Sequence, residues 1–286
     1  MANLRQIRSR IRSVQNTQKI TRAMQMVAGA KLRRAQEQLY QARPYVDRLE
    51  GMTQRFLDAV PGLSHPLLEA PAPSDTPRPV ALVLIASDTG LCGAYNERLL
   101  AKAREVIAQG PTQVIAVGRK GLAAARRGGW PVLAQHTDLG GKVTDPLVQT
   151  LAASLIAAYQ GGQVREVRIV YTKFLSALSW RPTVETWLPM TPARRTEDGP
   201  AELLLEPTPP EIAERLLPAL LAAKLRRLLL EGMTSEHSAR MVAMKAATDN
   251  AAEMIDTLTL VRNKVRQASI TKEISEIVAG VEALKQ

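Results

Sequence analysis

The chain has 286 residues, 45% of them hydrophobic, which suffices for one large domain or two ordinary ones and excludes disorder and collagen-like repeats. A lone cysteine, Cys92, forbids an internal disulfide, and His65, His136 and His237 lack metal-ligand spacing, so disulfide scaffolds and structural zinc fall away. With a net charge of +11, few aromatic residues and no apolar run near the roughly 20 residues that cross a bilayer, the composition argues against base-stacking platforms and membrane spans.

The charge is unevenly placed. Residues 1–36 hold nine basic side chains and no acidic one, whereas in 233–286 seven basic and seven acidic residues cancel. The first segment therefore calls for an acidic partner. An Arg-rich, acid-free start also resembles an organelle targeting peptide, but its apolar periodicity continues well past a presequence and reads as mature structure.

From Leu4, alternate steps of three and four residues give Ile7, Ile11, Val14, Gln18, Thr21, Gln25, Ala28, Leu32, Ala35, Leu39, Ala42, Val46 and Leu49, a heptad seam. The seam turns polar at Gln18, Thr21 and Gln25, where Ile20, Met24 and Val27 raise an apolar stripe on a neighbouring face, so the helix there should meet a second partner. Pro44 should kink this helix or mark its entry into the body. Thirteen of the eighteen prolines fall in two windows, 61–79 and 189–218, which read as joints. Between them the pattern changes to an α/β alternation: a buried strand at Val80–Ala86, a helix at Asn96–Gln109, a strand at Gln113–Val117, and a short helix at Lys120–Arg127. Asp145-Pro146 then caps and opens a helix to Tyr159, and strands follow at Val164–Tyr171 and Thr183–Leu188. This is a small, mainly parallel, Rossmann-like sheet covered by helices.

The last segment repeats the seam through Met241, Met244, Thr248, Ala251, Ile255, Leu258 and Val265, then a displaced one through Ile270, Ile274, Ile277, Val281 and Leu284. Alanines 239, 243, 246, 247, 251 and 252 permit close helix approach, and Ala28-Gly29-Ala30 is the matching small patch on the first helix. Two helices leaving one body side by side run antiparallel. The predicted organisation is a coiled-coil helix over 1–60, a joint over 61–79, an α/β domain over 80–190, a joint over 191–218, and a second coiled-coil helix over 219–286.

The loop Ser87–Asn96 sits where an α/β fold binds phosphates, but it matches neither GxGxxG nor GxxxxGK[ST], and a tight strand-to-helix turn explains it better. Cys92 reads as a small buried side chain rather than a nucleophile, and His237 as a solvated surface histidine. The spread of basic residues around a helix that also carries the seam weakens a nucleic-acid reading. The methionines at helical spacing read as core. Ile274, Ile277, Val278, Val281 and Leu284 spread wider than one seam and need an apolar socket elsewhere.

Four runs carry a resemblance. Residues 11–35, IRSVQNTQKITRAMQMVAGAKLRRA, look like the N-terminal helix of the γ subunit family of F-type ATP synthases. SEHSARMVAMKAATDN at 235–250 and RQASITKEISEIVAG at 266–280 resemble the C-terminal helix of that family, and SDTGLCGAYN at 87–96 its first sheet loop. The resemblance implies a rotor shaft: a coiled coil inside a hexamer of alternating α and β subunits, and an α/β foot on the membrane ring of c subunits beside ε. It implies neither a catalytic site nor a cofactor, and a peripheral place on the cytoplasmic face of the membrane. Arg266 and Gln267 match the pair that engages a loop of the β subunit, with Arg240, Thr271 and Glu273 around them. Met24, among Lys19, Arg22 and Lys31, matches the methionine beside the acidic lever of that subunit. Ile274, Ile277 and Val281 match a tip that turns in an apolar sleeve. In Leu203-Leu204-Leu205-Glu206-Pro207 only Glu206 carries over as a ring contact, because the aromatic residues usual there are replaced. The cysteine-paired insertion of chloroplast members is absent, which points to a bacterial origin without thiol regulation. Two other classes stay open at this level: an α/β nucleotide-binding enzyme with a coiled-coil oligomerisation arm, and a basic coiled-coil nucleic-acid binder.

Overall fold

The computed structural model describes residues 4–71, 77–191 and 204–283, without the side chains of 279 and 281–283. Two long helices, α1 (Leu4–Ala59) and α5 (Pro209–Ala283), flank β1 (Val80–Ile85), α2 (Tyr95–Ile107), β2 (Thr112–Val117), α3 (Arg119–Arg127), β3 (Val132–His136), α4 (Asp145–Gln160), β4 (Glu166–Ser176) and β5 (Ser179–Leu188). The chain divides into two compact units, residues 1–28 with 241–286 and residues 29–240.

In the second of these the strand order is β3-β2-β1-β4-β5, parallel throughout except for the β4–β5 hairpin. β1 is central and buried along its whole length, which its unbroken apolar run requires. Alternate residues serve opposite faces. Leu82, Leu84 and Ala86 pack with Leu99, Leu100 and Ala103 of α2 and Ala124 and Ala125 of α3. Ala81, Val83 and Ile85 pack with Val148, Leu151 and Leu155 of α4, Leu221, Leu225 and Leu228 of α5, and Phe56 of α1. Gly232 allows this approach of α5, because a Cβ there would lie 2.8 Å from Ile85 Cγ2. Within this unit α1 and α5 are antiparallel: Arg43 meets Glu231, Asp47 meets Arg227, and Glu50 meets Lys224.

Strand β4 outruns β1. Their pairing ends at Leu84 and Val170, yet β4 continues to Ser176 in its hairpin with β5. The backbone groups of that extension on the β1 side need partners, since a buried unpaired peptide group costs about 1–3 kcal/mol. Side chains of the long helices supply them. Glu231 Oε2 accepts from Phe174 N at 2.7 Å, Arg43 Nη2 donates to Phe174 O at 2.8 Å, Ser235 Oγ to Thr172 O at 2.9 Å, and Ser238 Oγ to Ala177 O at 2.5 Å. Arg43 also grips Glu231 Oε1 through Nε and Nη2.

The other unit is an antiparallel pair of helical segments. Ile7, Ile11, Thr21 and Ala28 are buried from α1, and Met244 and Ala251 from α5. At the polar step of the seam, Thr248 Oγ1 donates to Thr21 Oγ1 at 2.8 Å, so the inward threonines satisfy one another.

Several elements differ from their sequence reading. The helix read as starting at 219 begins at Pro209, since Pro209 and Pro210 stand in its first turn, where a missing N–H costs nothing. Pro218 is carried inside it, so the stretch 209–218 is helix and not joint, and α1 likewise runs through Pro44. Burial of Leu39 and Val46 on either side of Pro44 holds the helix together across the lost hydrogen bond. The segments 29–59 and 219–240, read as coiled coil, belong with the sheet. Strand β3 was not legible, because Val132 and Leu133 on this edge are exposed and form no long apolar run. The cap of α4 is Thr144, with Asp145 in its first turn paired to Arg226.

Replacing Glu231 by Ala should cost about 3 kcal/mol, as it leaves Arg43 and the Phe174 N–H without their acceptor. Urea denaturation of the isolated chain measures it; a loss no larger than that of an exposed Glu→Ala control would contradict the role given to this carboxylate.

Candidate functional site

Two regions can meet partners or ligands: the carboxyl ends of the parallel strands in the sheet unit, and the surface of the helical pair. In the first, a cavity of about 270 Å³ lies among Asp88, Arg119, Asp138, Lys142, His237 and Arg240. An open α/β sheet commonly holds ligands at this end of its strands. Here the chain itself fills the anion position. Asp88 accepts from the backbone N–H groups of Arg119 at 3.1 Å, Asp138 at 3.1 Å and Leu139 at 2.8 Å, so its carboxylate occupies the start of α3 and ties the loops after β1, β2 and β3 together. Arg119 pairs with Asp138 and Arg240 with Glu236, while Lys31 and Lys142 line the cavity without a salt bridge among the described residues. The amides that a bound phosphate would use at the start of α3 are thus taken by Asp88.

The loop Ser87–Asn96 is a strand-to-helix turn fixed from within. Asn96 accepts from Ser87 N and donates to Ser87 Oγ and Cys92 Sγ, and Leu91 takes a positive φ of 61°. Cys92 is buried, and burial raises its thiol above the usual range, so it remains a neutral thiol.

His237 corrects its sequence reading. It is 3% exposed, not solvated, because Tyr95 and the β4–β5 hairpin bring α5 down onto the sheet where a helix seen alone offers a polar face. Burial, then Arg240 and Lys31, push its pKa down to about 4. Its Nδ1 has no hydrogen-bond partner among the described residues. Glu236 beside it is raised by burial, a shift opposed by Arg240. Neither residue carries a pattern in the sequence that distinguishes it from a surface Glu-His pair.

The residues singled out by the resemblance do not form one cluster. Arg240 belongs to the sheet unit, where its guanidinium donates to Thr89 O, Thr89 Oγ1 and Gly90 O and pairs with Glu236. Arg266, Gln267, Thr271 and Glu273 lie exposed on successive turns of α5 in the helical pair. Thr271 Oγ1 donates to Gln267 O, and Ser269 Oγ to Glu273. Lys19, Arg22 and Lys31 are exposed and Met24 is half-buried. Among the described residues no salt bridge reaches Lys19, Arg22, Lys31 or Arg266. Ile274 and Ile277 are 56% and 67% exposed, and the side chain of Val281 lies outside the described residues. Ile20, Val27, Ile270 and Val278 are exposed as well. Glu206 is exposed ahead of α5, and Leu203 lies outside the described residues.

Among the described residues no group of three His, Cys, Asp or Glu side chains is placed to hold a metal ion, and no helix is long and apolar enough to cross a membrane.

A family model described as ATP synthase matches residues 3–284. The ATP synthase gamma chain of Moorella thermoacetica is 44% identical over 287 residues, with all of both chains covered. That of Symbiobacterium thermophilum is 43% identical, with 99% of each chain covered. Among solved structures, a chain of the Euglena gracilis mitochondrial ATP synthase, in an OSCP/F1/c-ring assembly, superposes with a TM-score of 0.70 at 19% identity, covering 98% of this chain and 94% of that one.

The buried imidazole generates a pH test. Its folded pKa, about 4, lies below the unfolded value of 6.5, so between those values the unfolded chain binds a proton that the folded chain does not. Stability from this ring is full above pH 6.5 and declines as pH falls towards 4, by up to about 3 kcal/mol. Glu236 contributes with the opposite sign above pH 4.5, which makes a His237→Phe comparison necessary. Unfolding measured from pH 7 to 4 should show a steeper decline in the parent than in the variant; equal slopes would mean that the ring titrates normally.

Proposed function

Because the chain belongs to the family of ATP synthase γ chains, we propose that it is the rotary central shaft of such a complex, coupling rotation of a membrane c ring to sequential changes at the catalytic β subunits. The observation that carries this reading is the apolar surface of the helical pair. Ile20, Val27, Ile270, Ile274, Ile277 and Val278 are exposed in one segment pair, far more than a free-standing coiled coil leaves uncovered. Apolar contact holds a shaft in its bearing without directional bonds that rotation would have to break.

The cations supply direction. Lys19, Arg22 and Lys31 near Met24 suit an acidic lever on the β subunit, and a shaft that presents them on one side at a time favours a different state in each catalytic subunit. Arg266 and Gln267, with Thr271 and Glu273, form the polar contact with the β loop, and Ile274, Ile277 and Val281 form the tip that turns in an apolar sleeve. Arg240 acts indirectly on this reading, by fixing the loop at Thr89 and Gly90. Glu206 marks the foot on the c ring, beside ε. The chain has no catalytic site or cofactor of its own, acts with the α and β subunits, and sits peripherally at the cytoplasmic face of the membrane.

Two measurements test this. The chain should co-purify with α and β subunits in a fixed ratio. Replacing Arg266 and Gln267 together by Ala should cut coupled ATP synthesis in reconstituted vesicles about tenfold while the isolated chain keeps its thermal stability. Undiminished synthesis would remove these two residues from the coupling contact.

A further inference from the structure

We propose that the side-chain ladder joining Arg43, Glu231, Ser235 and Ser238 to β4 is the junction that carries twist between the sheet and the long helices, with Glu231 as its positioning residue. This rests on the shaft reading above and goes beyond it, since it names where within the chain torque passes.

Two kinds of contact hold α5 to the sheet. Leu221, Leu225, Leu228 and Leu229 bury apolar surface against β1, β4 and α4. Such contacts resist separation, but they are non-directional and tolerate a small roll or slide of one surface over another. Resistance to shear needs bonds with fixed direction and length. Beyond Leu230 the composition of α5 changes to suit this: Glu231, Gly232, Thr234, Ser235, His237, Ser238 and Ala239 are all buried, and the run of leucines stops. Of these, Glu231 and Ser235 bond to the backbone of β4 and Ser238 to the hairpin turn at Ala177, backbone that cannot rotate away, while Thr234 Oγ1 donates to Leu230 O of its own helix. Thr172 O, Phe174 N, Phe174 O and Ala177 O are each taken by one side chain at 2.5–2.9 Å.

Glu231 is the centre of this ladder because it serves three elements at once. One oxygen holds Phe174 N of β4, the other receives both Nε and Nη2 of Arg43 from α1, and Arg43 returns to Phe174 O. Displacing α5 along or about its axis by one residue breaks its three bonds to the hairpin together, and moving α1 breaks those made by Arg43. The ion pairs Asp47–Arg227 and Glu50–Lys224 extend the register but lie more exposed, and yield more readily. Apolar packing holds the parts in place; the ladder stops them slipping under load.

The experiment uses the assembled, vesicle-reconstituted complex with two variants, Glu231→Gln and the milder Ser235→Ala/Ser238→Ala, at equal content of complete complex. Rotation without load should survive, so ATP hydrolysis in the absence of a gradient should stay within about twofold of the parent, while synthesis against a high ATP/ADP ratio falls about tenfold for Glu231→Gln and less for the serine pair. A parallel fall of hydrolysis and synthesis, following the amount of folded complex, would show that the ladder only stabilises the fold and would overturn the proposal. So would synthesis that is unchanged at every load. Failure of the shaft reading itself is distinguished by purification, since the chain would then not co-purify with α and β subunits in a fixed ratio, whatever the ladder variants do.

Discussion

A strand that extends past its neighbour must find other partners for its peptide groups, and this requirement organises the sheet unit. β4 pairs with β1 only as far as Val170, and the next residues would present an unpaired edge inside the protein. A further strand could have covered it. Instead the chain uses a helix, and the helix must then carry a carboxylate, two hydroxyls and a guanidinium borrowed from α1 at defined positions. Burying Glu231 is tolerable only because both its oxygens accept charge-assisted or backbone hydrogen bonds, while Arg43 keeps partial contact with solvent. The antiparallel register of α1 and α5 near the sheet follows from this geometry, since Arg43 and Glu231 can meet at β4 in only one alignment.

The same economy of partners explains the strand ends. In nucleotide-binding relatives of this architecture, loop amides and a helix N-terminus converge on a phosphate. Asp88 places a carboxylate there from the chain itself and receives three of those amides. The loops thereby become a brace. Arg240 completes it by holding Thr89 and Gly90, and the buried, neutral His237 fills space against Gly141 that a charged ring could not occupy cheaply.

The helical pair obeys a different logic. Its inner seam is narrow and small, with Ala28, Ala251 and a threonine pair at its polar step, so it buries little apolar surface of its own. Much of its remaining apolar surface faces outward, as does its unpaired positive charge. A surface of this kind is stable in water only with company, which fits a subunit whose relatives are ATP synthase gamma chains.

The periodicity of residues 4–49 determined by itself which side of α1 faces inward: Ile7, Ile11, Thr21, Ala28, Leu32, Ala35, Leu39 and Val46 are all buried. Apolar runs likewise gave the central strands and the helices between them, because burial on both faces leaves a continuous signal that needs no tertiary context. The candidate contacts on α5 were legible only through family resemblance, for exposed polar residues on a helix have no pattern of their own. Three things were decided by the tertiary structure alone. Edge strand β3 and the extension of β4 take their form from neighbours rather than from their own hydrophobicity. Pro218 and Pro44 stay helical because packing on both sides outweighs a single lost hydrogen bond. Glu231, His237 and Arg240 meet Arg43, Gly141 and Thr89, residues roughly a hundred or more positions away, and no local spacing can encode a contact at that distance.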